Sequence, residues 1–352
     1  MWWSRYRLEE HSPYSTTKGF LKHKMKKNQL LLYIISAILS IALLAYLLLS
    51  LDWGILRVAF SDIHWGWLGL ALLAYLVNIF LRALRFTNLI YSRPVKWIEL
   101  IPVSALHNIL MYLMPAKIGD VTYIFIAKNR LDLSLTEGTA TLLAARFYDF
   151  SVVGLILAIL LPFSKAEMPE WIFQSSLIFC LLILVGTIAI LGFLKFSKSP
   201  LESVSLLTEN QGYTDQLQKI RNAWNKFTVG LREIQSHGAH GKVALLTAGI
   251  WLCIYSNFYF AAKSMGLPVA FYHIAIISIV MIPLTLLPLQ GFANIGTHEI
   301  GWTSVLVAFN YPYKTALAIA AGSHFVLLLS VLIGGGLAFW GAQMFSKYLV
   351  VE

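Results

Sequence analysis

Six stretches of this chain each run for roughly 20 residues or more with few polar side chains, the length that crosses a bilayer core as a helix. Four are plain apolar runs, at about 30–51, 65–91, 171–194 and 315–340. Two more, about 138–161 and 242–265, carry a few polar residues but have the right length. Lipid offers a backbone no hydrogen-bond partners, so such runs satisfy themselves as helices. The predicted fold is an all-α polytopic membrane protein. Composition agrees: 58% of the 352 residues are hydrophobic and only 12% charged. That is about half the charged fraction of a soluble domain, and a soluble globule is excluded. Cys180 and Cys253 both fall in apolar runs and read as small buried hydrophobes, with no disulfide framework or zinc site.

Charge gives direction to the spans. Residues 1–29 hold seven Lys and Arg against Glu9 and Glu10. No small-residue cleavage site follows, and the first span is too long for a signal-peptide core. The positive-inside rule puts this basic tail in the cytoplasm, on anionic inner-leaflet lipids. With six spans, the exit of the second (Arg82, Arg85, Arg93 and Lys96 against Glu99) and the 195–242 segment (seven basic residues against four acidic) both fall inside. The predicted outer loops sum to zero, both termini come out cytoplasmic, and the expected location is the cell membrane. The net charge of +10 is therefore an orientation label and no nucleic-acid signal. Within 195–242, Leu217, Ile220, Trp224, Phe227, Leu231 and Ile234 recur at helical spacing, opposite Lys219, Arg221, Lys226 and Arg232. This amphipathic helix either lies on the inner leaflet or packs against the bundle.

Two apolar stretches do not behave as spans. Residues 98–130 are interrupted by Pro115-Ala116-Lys117-Ile118-Gly119-Asp120, and residues 269–309 by Pro288 through Glu299, which holds Gly291 and Gly296. Broken backbone at membrane depth survives only where protein buries it or where it lines a wet cavity. A full crossing of 98–130 would invert every later loop and put the basic 195–242 segment outside. Both stretches are therefore predicted as re-entrant hairpins, the first entered from the cytoplasm and the second from the outer side. A span, a broken hairpin and a span then cover 65–161 and recur over 242–340. Asp120 precedes Arg146-Phe147 by 26 residues, and Glu299 precedes His324-Phe325 by 25. The units start on opposite sides, which makes them inverted repeats, an architecture of secondary transporters with the substrate at the breaks.

Ionisable residues inside a span are costly and mark function or internal pairing. Lys117, Asp120, Arg146, Asp149, His298 and Glu299 lie in or beside the apolar segments. Arg146 and Asp149, three apart, either neutralise each other or line a headgroup pocket with Lys117 and Asp120. Arg82 and Arg85 either snorkel to the interface or bind a lipid phosphate with their guanidinium forks. His298 and Glu299 read as a hydrogen-bonded pair at a helix start, or as part of the same site; His324 reads as a satisfied core histidine. Enzyme signatures fail. His298-Glu299-Ile300-Gly301-Trp302 lacks the second histidine of a zinc-protease helix. Ser323 and His324 are adjacent and point apart on a helix, and no phosphate-binding glycine loop occurs. The chain is read as a non-enzyme with no cofactor and no metal.

Arg82-Ala83-Leu84-Arg85-Phe86, Pro115 through Asp120, Arg146-Phe147-Tyr148-Asp149 and Gly291 through Glu299 resemble the lysylphosphatidylglycerol synthase transmembrane region family, also called flippase-like membrane proteins. The resemblance covers roughly 30–340. Lys117 and Asp120 stand where that family has Arg and Glu, His298 and His324 where Arg is usual, and Phe292 where a second glycine is usual. The resemblance implies lipid handling by a stand-alone member without the soluble synthase domain. The expected activity is movement of a phospholipid or isoprenoid-linked lipid, anionic or phosphate-bearing, through a polar cavity between the hairpins. Two other readings stay open: a membrane-embedded transferase acting on a lipid carrier, and a non-transporting subunit of a lipid-modifying enzyme.

Overall fold

In the computed structural model the described residues are 54, 61–114, 118–196, 228, 232, 239–283 and 292–349. The helices are α1 (Trp65–Thr87), α2 (Trp97–Leu113), α3 (Ile118–Leu131), α4 (Leu135–Ser164), α5 (Glu170–Phe196), α6 (His240–Ser264), α7 (Phe271–Val280), α8 (Thr297–Ala308), α9 (Tyr313–Leu329) and α10 (Gly335–Leu349), with a π turn at Ser330–Gly334 joining the last two. Among the described residues there is no strand. Five stretches are long and apolar enough to cross a membrane: Trp65–Thr87, Leu135–Ser164, Glu170–Gly192, His240–Ser264 and Tyr313–Met344. These are the five predicted spans that fall on described residues. The sixth, 30–51, lies outside them, as do the basic tail and all of the 217–234 helix except Thr228 and Arg232. Helix α5 shows why the solvent must be lipid: Trp171, Ile178, Leu182, Val185 and Ile188 are all exposed on it. Such a surface is stable against hydrocarbon and not against water.

Helices α1 and α6 form the centre of the bundle and run antiparallel. The His64 amide donates to Ser264 O (2.9 Å) at one end, and Trp67 stacks on Phe260 (5.6 Å). Further along, buried Asn78 donates from Nδ2 to Ile250 O (2.9 Å), and buried Asn257 donates from Nδ2 to Ala71 O (2.8 Å). The two bonds are reciprocal. Asn78 and Asn257 lie 179 positions apart in the sequence, and so do Ala71 and Ile250. A primary amide in an apolar core needs an acceptor, and the second lone pair of a helical carbonyl supplies one.

Helices α2 and α3 fold back on each other as a hairpin. Gly119 is required at the top, because a Cβ there would overlap the backbone of Met111 and Leu110 on the opposite arm. The hairpin is tied at its foot by Arg93, whose Nη2 donates to Leu131 O (3.1 Å). Glu137, in the first turn of α4, accepts from the amides of Tyr91 and Ser92 (3.1 and 2.9 Å) beside that foot. Helix α4 itself opens on Ser134, whose Oγ accepts from Glu137 N (3.1 Å).

The second hairpin, α7 to α8, is tied at the other end of α4. The Ala270 amide donates to Tyr311 Oη (3.3 Å), and Tyr311 Oη lies 2.8 Å from His273 Nδ1. His273 Nε2 and Tyr272 Oη both reach Glu167 Oε2, at 2.8 and 2.7 Å, just beyond the end of α4. A neutral His273 with its proton on Nε2 satisfies every group in the chain. The two feet are thus at opposite ends of a 30-residue helix, about 45 Å long at 1.5 Å per residue. The hydrogen bonds from Tyr272 and His273 hold the Glu167 carboxyl below its ordinary range. A lowered folded pKa means that the tie is present above the ordinary carboxylate value and is lost as pH falls through the lowered one. Once exchange is corrected for its intrinsic slowing on acidification, the protection of amides over 267–275 is expected to hold above about pH 4.5 and to fall as the pH drops below it. Glu167→Gln should remove that acid step.

Candidate functional site

Helix α4 carries the charges that organise the site. Arg146 binds Asp120 through Nη2 and Oδ1, and reaches Asp149 Oδ2 through Nη1 at 3.2 Å. Asp149 is the hub: its Oδ1 also accepts from Arg85 Nη1 (2.6 Å) and from Trp251 Nε1 (3.3 Å). Arg85 is 1% exposed and lies 3.5 Å from Thr247 Oγ1 on α6 through the same Nη1. Three residues earlier on α1, buried Arg82 donates from Nε to Asn78 Oδ1 (2.8 Å). Among the described residues Arg82 has no ion pair. Three guanidinium groups (Arg82, Arg85, Arg146) therefore face two carboxylates (Asp120, Asp149), and the surplus positive charge rests on Arg82.

The helices after α6 supply a matching pair. The backbone before α8 turns left-handed at Ala293 (φ 52°), Asn294 (φ 57°) and Gly296 (φ 84°). Glycine carries the last of these without a Cβ penalty. The amide this frees at Gly296 donates to Glu299 Oε2 (2.7 Å), and Glu299 Oε1 lies 2.6 Å from His324 Nδ1 on α9. Asp120 and Glu299 are each the third residue of the helix after a break, where the dipole favours an acid. They too lie 179 positions apart, and each binds a basic residue in the following span. The sequence spacing of 26 and 25 residues is thus the spacing of two acid–base contacts, Asp120 with Arg146 and Glu299 with His324.

These groups surround a cavity of about 390 Å³ lined by both halves of the chain. Arg82, Tyr112, Asp120, Arg146 and Asp149 line it from α1 to α4, and Trp251, Phe258, Asn294, His298, Trp302 and His324 from α6 to α9. Of the residues expected to bind substrate, Arg82, Asp120, Arg146, Asp149 and His298 face this cavity. Arg85 does not line it and instead backs Asp149; Glu299 sits behind His324. Lys117 lies outside the described residues.

Two expectations are corrected. Neither Arg82 nor Arg85 snorkels, since both are turned inward and buried. A carboxylate and a carboxamide inside the bundle outcompete the interface as partners. Nor does Glu299 pair with His298. Adjacent helical side chains point about 100° apart, so the carboxylate reaches His324 while His298 stacks on the His324 ring (4.2 Å between centroids). Cys253 is only partly buried, whereas Cys180 is buried and donates to Gly154 O (3.3 Å). Asn78 and Trp251 were not singled out from the sequence. Asn78 was discoverable as an amide four residues before Arg82 on one helix face; nothing local marks Trp251.

A model of the family described as the lysylphosphatidylglycerol synthase TM region matches residues 33–335. Among curated proteins no match is found.

Proposed function

Because the chain belongs to the lysylphosphatidylglycerol synthase transmembrane region family, we propose that this multi-pass membrane protein is a lipid transporter of the flippase type. One observation carries the reading: a cavity lined from both halves of the chain holds the buried guanidinium of Arg82, which has no ion pair among the described residues. Burying a cation without a counter-charge is expensive unless a ligand completes it. The charge count suits a headgroup with a single phosphate negative charge, and a guanidinium fork matches phosphate oxygens. A volume of about 390 Å³ suits a headgroup, with the acyl or isoprenoid chains left in the bilayer.

The tied feet support the re-entrant reading, since a segment whose ends meet returns to the side it entered from. Their attachment at opposite ends of α4, with the antiparallel pairing of α1 and α6, supports inverted repeats. Such repeats rock about a central site to expose it to each leaflet in turn. The charge distribution supports cytoplasmic termini in a cell membrane. A transferase is less well supported: Asp149, the most buried carboxylate at the cavity, accepts from three donors and is poorly placed to act as a base.

Reconstitution into liposomes with labelled lipids is the test. Leaflet exchange is expected in the wild type and should fall about tenfold or more in Asp120→Asn, which loses a charge-assisted hydrogen bond to Arg146. A covalently altered lipid without exchange would establish a transferase instead. Exchange that appears only when a lipid-modifying enzyme is added would make the chain its subunit.

A further inference from the structure

The second repeat contributes something other than a fixed charge to the cavity. His298 and His324 stack face to face, with ring centroids 4.2 Å apart and planes at 26°. His298 is enclosed on its other sides by Trp302 (4.7 Å) and Phe258 (5.5 Å). Both imidazoles line the cavity, and Glu299 is the carboxylate that touches the pair. Both Glu299 oxygens are used, one by His324 Nδ1 and one by the Gly296 amide. The Nε2 of His298 is buried and has no hydrogen-bond partner among the described residues.

We propose that the stacked His298–His324 pair, anchored by Glu299, is a proton-binding site whose occupancy is coupled to that of the anion site at Arg82. The coupling rests on the headgroup reading of the cavity given above. One carboxylate balances one proton on the two rings, so the triad is neutral when His324 is charged and His298 is not. A second proton, on His298, would stand one ring-stacking distance from the first with no carboxylate of its own. Like charges that close in a site screened from water repel strongly. Apart from Glu299, the ionisable groups among the described residues that face the pair across the cavity are Arg82, Tyr112, Asp120, Arg146 and Asp149. No ionisable group of α7 lines the cavity; its Tyr272 and His273 are engaged at the foot. Among the described residues the balance of the cavity is then one positive charge, and adding a proton makes it two. An anion at Arg82 lowers this: it cancels the surplus, so that a proton on His298 brings the cavity to one positive charge rather than two. Anion and proton therefore favour each other, and each raises the affinity of the other by the same factor. In a transporter this linkage makes the loaded cavity carry a proton with the lipid, so that a pH difference across the bilayer biases transport.

The test uses the full-length protein in nanodiscs and a water-soluble probe, dihexanoyl phosphatidylglycerol. Calorimetry in two buffers of different ionisation enthalpy counts the protons taken up on binding. In the wild type about one proton is expected per probe, with affinity rising about tenfold per pH unit of acidification over the window where His298 titrates. His298→Phe keeps the stack and removes the proton, so its affinity should no longer depend on pH in that window, whatever its absolute value. His298→Gln serves as a second variant should the first fold poorly. Unchanged proton uptake in either variant overturns the assignment. A ligand-free arm uses ring nitrogen signals of labelled histidine. The pair is expected to take up its two protons in separate steps, and the upper step should remain in His298→Phe. Two rings that titrate together as independent groups overturn the proton site even where the probe binds. A probe that fails to bind while the rings titrate in steps overturns the headgroup reading of the cavity and the coupling with it.

Discussion

Asp149→Ala is expected to destabilise the folded bundle by about 3–5 kcal/mol, the cost of leaving a buried cation without its carboxylate. The cation is Arg85, 1% exposed, whose Nη1 lies 2.6 Å from Asp149 and whose Nε already lacks a partner among the described residues. Arg146 and Trp251 lose the same acceptor group. The loss should appear as a shifted unfolding transition in mixed micelles and as poor yield of folded protein. A double variant, Arg85→Met with Asp149→Leu, removes both charges and should recover most of the stability. A hub that binds ligand and does little for the fold would lose activity in the single variant with no shift in unfolding.

Arg82→Met is expected to give the reverse pattern. This arginine has no ion pair to break among the described residues; its bond there is the one to Asn78, worth about 1 kcal/mol. Charge-assisted bonds to a phosphate are worth about 1.5–3 kcal/mol, so lipid binding and leaflet exchange should fall roughly 10- to 100-fold while the unfolding transition moves little. If Arg82→Met transported normally, the unpaired guanidinium would have no part in recognition. Together the two variants separate a charge that holds the helices from a charge that waits for substrate. These charges lie three residues apart on one helix.

Much of this molecule was legible from local pattern. The five spans on described residues came from runs of hydropathy, because a helix in lipid satisfies its backbone within itself and needs nothing distant to form. Prolines and glycines marked both breaks, and the separation of Asp120 from Arg146 and of Glu299 from His324 marked two acid–base contacts. That worked because helix geometry converts a sequence interval into an axial distance. The pairing of His298 with Glu299 failed for the same geometric reason, since neighbours on a helix cannot face one partner.

The sequence by itself determined which segments lie in the membrane, where they break and which residues bring charge into hydrocarbon. Those properties are additive along the chain and need only the solvent and the helix repeat. The tertiary structure decided which charge meets which. Arg85 is turned to Asp149, Arg82 to Asn78 and the cavity, and Glu299 to His324 rather than to its neighbour. An ion pair forms only within a few ångströms, and in this chain partners come that close through the packing of α1 against α6 and of each hairpin against the span that follows it. A surplus charge can be counted in a sequence, but it becomes a binding site only where packing leaves it a cavity to face.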